Sequence, residues 1–179
     1  MLRYGQGDVA AFEALYRRHE MGTWRFILRS VRVQAVADDL LQDVWFSVAR
    51  QADTYQPSAK FKTWLFTLAH HRVVDHFRSA KAHVSLDAEA DDDSGPALTL
   101  AADSGFGPVR QLESRQQARA LLDAIESLPA AQRQAFLLQA EAGMDVQEIA
   151  RTTGTSFETA KSRLRYARSH LREVLKDMA

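Results

Sequence analysis

Residues 64–81, WLFTLAHHRVVDHFRSAK, place three histidines, one aspartate, three aromatic rings and three basic side chains in one helical stretch. Three chemistries are open to such a set. His71 and Asp75, at i and i+4, could share a metal ion with His70 or His76. However, the chain has no His-Glu-x-x-His pattern and no distant third ligand. No catalytic residue, metal site or cofactor is therefore expected. Ordinary structural histidines are the second reading. The third is nucleic-acid contact, because aromatic rings beside a basic edge suit stacking on unpaired bases and holding of backbone phosphates.

A second set with chemical potential lies near the C-terminus, in MDVQEIARTTGTSFETAKSRLRYARSHLREVL. Asp145 with Glu148, and Thr155 with Glu158, have the spacing of helix-opening capping boxes. Gly154 lies between them and can supply a left-handed turn. A short helix, a glycine turn and a longer helix make a helix-turn-helix. In the longer helix Ala160, Leu164, Ala167, Leu171 and Val174 share one face, and Lys161, Arg165, Arg168 and Arg172 form an adjacent stripe. A solvated basic face is one reading of that stripe. The other puts Ser156, Phe157, Glu158, Lys161 and Ser162 in a major groove, with the later arginines on phosphates.

The elements that must position these residues are helical throughout, so the expected fold class is all-α. Asp8 is a plausible N-cap for a helix whose Phe12, Leu15 and Tyr16 share a face. Leu40, Leu41, Val44 and Val48 recur at helical spacing. Pro57, in the turn YQPSAK, suits a helix start. In the helix that follows, Phe61, Trp64, Leu65 and Leu68 form the expected core stripe, and Arg72 is expected to pair with Asp75. Phe66, His70, Val73 and Phe77 form a second stripe, and His71, Val74, Arg78 and Lys81 a third. Further on, Ala118, Leu121, Leu122 and Ile125 repeat helically, Pro129 opens a helix, and Gly143 ends it.

Zero net charge conceals a division. Residues 1–81 carry 12 basic and 8 acidic side chains, residues 115–179 carry 10 and 8, and residues 82–114 carry 1 and 7. The acidic stretch is rich in Ser, Gly, Pro and Asp and reads as a linker between two small helical domains. The expected bounds are 1–82, a linker over 83–113, and 114–179. With no cysteine, disulfides and thiolate zinc sites are excluded. No apolar run approaches the roughly 18 residues of a membrane span and no signal peptide is evident, so a soluble cytoplasmic protein is expected.

In order, GDVAAFEALYRRH, ADDLLQDVWFSV, FKTWLFTLAHHRVVDHFRSAK and SLPAAQRQAFLLQAEAGMDVQEIARTTGTSFETAKSRLRYARSHL resemble the successive segments of the extracytoplasmic-function sigma factors. The resemblance implies a non-enzymatic initiation factor. Its first domain would bind core RNA polymerase and read and melt the −10 element. Its second would read the −35 element. It places Asp39, Leu41, Gln42 and Asp43 in the segment that docks on the β′ coiled coil. Trp64, His71, Arg78 and Lys81 fall in the −10 segment. Ser156, Phe157, Glu158, Lys161, Ser162, Arg165 and Arg168 fall in the −35 recognition helix. Further implied partners are the β flap, promoter DNA and an anti-sigma protein, often membrane-anchored in this family. The family usually reads Ala-Arg-Asn where this chain has Ala69-His70-His71, so His71 stands where an asparagine often contacts a flipped base. Two rivals are a stand-alone helix-turn-helix regulator with a helical sensor domain, and a helical metal-dependent enzyme using His70, His71, Asp75 and His76.

Overall fold

The computed structural model describes residues 1–84 and 115–176. The described residues are helical with no strand, and the chain divides into two compact units. The expected linker, from its third residue on, lies outside the described residues.

The first unit holds α1 (Leu2–Gly5), α2 (Val9–Val31), α3 (Gln34–Arg50) and α4 (Phe61–Val84). Asp8 opens α2 as expected. Its carboxylate accepts from the Ala11 N–H at 3.1 Å and pairs with Arg3 at 2.6 Å, and these two contacts hold its pKa below the usual range. Short α1 was not expected. It packs Tyr4 on Phe12, and a side chain at Gly5 would meet the Ala52 carbonyl at 2.6 Å, so only glycine fits there. A fully buried set from three helices forms the core: Phe26 and Ile27 of α2, Val44 and Val48 of α3, and Leu65, Phe66 and Val73 of α4. Two polar ties fix the helices laterally. The Trp24 indole donates to Asp38 at 2.7 Å, and Arg72 donates to the buried Ser47 hydroxyl at 2.8 Å.

This packing corrects three expectations. The buried face of α4 runs through Leu65, Phe66, Ala69, His70 and Val73, whereas Trp64 and Leu68 are only half-buried. The helix packs on α2 and α3 together, and that double contact rotates the core face away from the stripe containing Trp64. Arg72 does not pair with Asp75; it bonds Ser47, and Asp75 pairs with Arg78 instead at 3.5 Å. Pro57 starts no helix, since α4 begins at Phe61 after an irregular turn.

The second unit holds α5 (Arg115–Ser127), α6 (Ala130–Leu137), α7 (Val146–Thr152) and α8 (Phe157–Lys176). Pro129 precedes α6 as expected, and Gly143 ends the segment in the left-handed region at φ 71°. Between them α6 widens into a π turn, Leu138–Ala142, that the sequence pattern did not announce. Asp145 and Glu148 form a complete capping box at the start of α7. After α7 the Gly154 N–H reaches the Arg151 carbonyl and the Thr155 N–H the Ala150 carbonyl, a Schellman ending that requires the φ of 63° at Gly154. The expected Thr155–Glu158 capping box does not form. Ser156, one residue later, caps α8 by accepting the Thr159 N–H at 3.1 Å, while Thr155 bonds Thr153. Ala160, Leu164, Ala167 and Leu171 then bury one face of α8, as their spacing predicts, and Val174 is half-buried.

Candidate functional site

Burying one face of α3 against α2 and α4 leaves its opposite face outward. Asp39, Gln42 and Asp43 are all exposed there. Leu41 is not. It belongs to the core, so its expected place on a docking surface is corrected. Phe46, one turn beyond Gln42 and Asp43, is the apolar side chain on that outward face: it is 61% exposed. The signal for it was present, because a large apolar residue falling on the polar side of a helix has no core to enter.

On α4 the site residues separate. His71, Asp75 and Arg78 are exposed, while neighbouring His70 is buried with its ring 6.0 Å from that of His71. The exposed Asp75–Arg78 pair holds weakly, so Arg78 remains available to a phosphate. Lys81 lies in α4, and its side chain is outside the described residues. Trp64 joins a surface cluster with Tyr55 at 4.9 Å and Phe61 at 5.7 Å, and His19 packs on Phe61 at 5.4 Å. Burial, then the charges of Lys62 and Arg18, hold the His19 pKa below its usual value, which marks the cluster's rim as basic. Tyr55 and Phe61 also line a cleft of about 500 Å³ bounded by Leu2, Leu15, Arg18 and Pro57. Sequence reading missed Tyr55 and Phe61 as site residues, although YQPSAKFKTW alternates rings with lysines. Among the described residues, no group of three or more His, Cys, Asp or Glu could hold a metal ion.

In the second unit, Ser156, Phe157, Glu158, Lys161, Arg165 and Arg168 are exposed and Ser162 is half-buried. Lys161 is steered from two sides: its ammonium lies 3.7 Å from the Glu158 carboxylate and 5.9 Å from the centre of the Phe157 ring. Arg165 stacks over Tyr166 at 4.9 Å, and Arg168 donates to the Gln139 side chain on the π turn at 2.6 Å. The three cations thus project from successive turns of one exposed face of α8.

A helical unit with a charged α3 face and an aromatic, basic-edged α4, in one chain with a helix-turn-helix, defines the class of two-unit nucleic-acid-binding transcription proteins. Comparison with known proteins narrows it. Residues 15–83 match the family model Sigma-70 region 2, and residues 118–171 match Sigma-70, region 4. RNA polymerase sigma factor CarQ of Myxococcus xanthus is 34% identical over 178 residues, covering 99% of this chain and 97% of CarQ. The ECF RNA polymerase sigma factor SigM of Mycobacterium tuberculosis is 32% identical over 169 residues, covering 94% and 79% respectively. Among solved structures, the sigma factor RpoE from Bartonella quintana, crystallised with the anti-sigma factor NepR, matches with a TM-score of 0.72. The identity is 23%, over 94% of this chain and 98% of that one. CnrH, in complex with the cytosolic domain of CnrY, matches with a TM-score of 0.63 at 19% identity, over 99% and 95%. At those identities the two structures support the fold alone.

The chain belongs to the extracytoplasmic-function group of the sigma-70 family. It is a sigma factor, a protein that directs RNA polymerase in transcription initiation. A stand-alone regulator is disfavoured, because the region 2 match covers the very unit that reading would make a sensor.

Proposed function

We propose that this sigma factor divides its work among three exposed helix faces. Asp39, Gln42, Asp43 and Phe46 on α3 dock on the β′ coiled coil of core polymerase. Trp64, His71, Arg78 and Lys81 on α4, with Tyr55 and Phe61 beside them, capture unpaired bases at the −10 element. Glu158, Lys161, Ser162, Arg165 and Arg168 on α8 read the −35 duplex, with Ser156 and Phe157 at its entry. The functional bounds are 1–82 and 114–179, joined by the acidic linker. As a member of the sigma-70 family, the protein performs no catalysis of its own and works in the cytoplasm. An anti-sigma protein, of the kind crystallised with RpoE, covers the docking surfaces when the factor is idle. The β flap receives the second unit.

One observation carries this reading: in each family-matched segment the expected polar residues with described side chains are exposed, save half-buried Ser162, while a separate apolar face makes the core. Replacing Gln42→Ala and Asp43→Ala together tests the first face. Both are exposed, so the fold persists by circular dichroism, and affinity for core polymerase falls on the order of tenfold, about 1.4 kcal/mol. Unchanged retention on immobilised core enzyme refutes the docking assignment.

The second face is tested at His71. A neutral imidazole offers one donor, one acceptor and a stacking face, so it replaces an amide without copying its hydrogen-bond pattern. His71→Ala holoenzyme retains closed-complex binding and loses permanganate-detected opening. His71→Asn opens promoters with a different preferred −10 base. If both variants open the same promoters as the parent, the captured base sits elsewhere, and the Tyr55–Phe61–Trp64 cluster becomes the place to look.

A further inference from the structure

Phe157 is the first residue of α8, directly after the capping Ser156. It is 44% exposed, and the buried face of its helix begins only at Ala160. The ring is therefore not a core residue displaced to the surface. It has a defined setting all the same. Ser156 locks the first turn by accepting the Thr159 N–H, and the Lys161 ammonium rests 5.9 Å from the ring centre while pairing with Glu158. An exposed aromatic ring beside a cation one turn on is a recognition element with an apolar half and a charged half.

We infer that Phe157 determines −35 specificity by packing on the C5-methyl group of a thymine, next to a guanine contacted by Lys161. The inference rests on the assignment of α8 to the −35 duplex. The chemistry of the groove selects the thymine. The hydrogen-bonding groups on a major-groove base edge offer a phenyl ring nothing it can satisfy, and the thymine methyl is the largest apolar group there. Lys161 supplies the donor that guanine O6 and N7 accept. Proximity of the ammonium to the ring keeps the two contacts on neighbouring bases. Arg165, a turn further along and stacked on Tyr166, makes a phosphate contact that is blind to this methyl.

The test is a one-methyl substitution in DNA. Holoenzyme first selects a tight promoter fragment from genomic DNA, and each thymine of its −35 element, on both strands, is then replaced singly by deoxyuridine. With the parent protein, one position weakens binding about fourfold, the value of one buried methyl-sized group. With Phe157→Ala holoenzyme the thymine and deoxyuridine fragments bind equally, and Phe157→Leu restores part of the difference. A scan with no sensitive position, or a deoxyuridine penalty that persists in Phe157→Ala, overturns the inference. Arg165→Ala separates the two levels of failure. If it weakens binding and flattens the salt dependence by about one counterion while the scan is flat, α8 reads the duplex and Phe157 does not read thymine. If Arg165→Ala also leaves −35 protection unchanged, the assignment of α8 itself falls.

Discussion

Lowering the pH from 6.5 to about 4 destabilises the first helical unit by about 3 kcal/mol through His70, and His19, whose pKa is also depressed, adds in the same direction. The His70 side chain is only 5% exposed, in the buried row of α4, and its Nδ1 has no hydrogen-bond partner among the described residues. Burial, and secondarily the neighbouring His71, depress its pKa from 6.5 to about 4. The sign follows from proton binding. Between these two values the unfolded chain binds a proton that the folded unit refuses, so stability falls with pH. Above pH 6.5 neither state binds it and the stability is fully present; below about 4 both do and the loss is complete. Each pH unit in that window removes about 1.4 kcal/mol. The consequence for function is direct, because α4 also carries Trp64 and His71. Replacing His70→Phe removes the titrating group and flattens this slope, while His71→Gln leaves most of it, since burial is the larger cause. Denaturant unfolding at stepped pH, with amide exchange in α2–α4 to localise it, measures the effect. An equal slope in the parent and His70→Phe assigns the acid sensitivity to other groups.

Local signals in the sequence were reliable at most helix ends and failed at two: Pro57 opens no helix, and Ser156 rather than Thr155 caps α8. Asp8, Asp145, Gly143 and Gly154 act on their own helix ends within a few residues, and each does so at its expected place. The core face of α8 was legible for a related reason: its apolar residues fall in a single row, leaving one rotation possible. Helix α4 has two apolar rows and two neighbours. Which row is buried depends on how α2 and α3 meet it, and periodicity holds no record of that. Leu41 shows the converse. Matching a segment to a docking function assigns the whole segment, yet packing turns Leu41 in and leaves Phe46 out. The cluster of His19, Tyr55, Phe61 and Trp64 joins parts of the chain far apart in sequence, so only the fold brings it together.

Replacing Arg133→Met in α6 costs about 3 kcal/mol in the second unit, more than any surface change in the recognition helix. Arg133 is 7% exposed, and one guanidinium nitrogen donates to two carbonyls, that of Glu126 at 2.8 Å and that of Leu128 at 3.3 Å. These carbonyls close the C-terminal end of α5, where a helix has run out of its own N–H donors. A cation there also complements the helix dipole. Each charge-assisted bond contributes about 1.5–3 kcal/mol. The two share one donor group and do not add in full. Methionine fills the same volume without the donors, so the loss measures the bonds rather than a cavity. Arg133→Lys keeps the charge but lacks the planar fork, and recovers part of the stability. The signature is spatial. Amide exchange accelerates in α5 and α6, and α8 follows because it packs on both, while α2–α4 keep the protection of the parent. Loss of −35 protection by the Arg133→Met holoenzyme, with docking through the first unit intact, ties that stability to promoter reading. Unchanged exchange in α5 would show that the helix end is held by other contacts and that Arg133 is dispensable there.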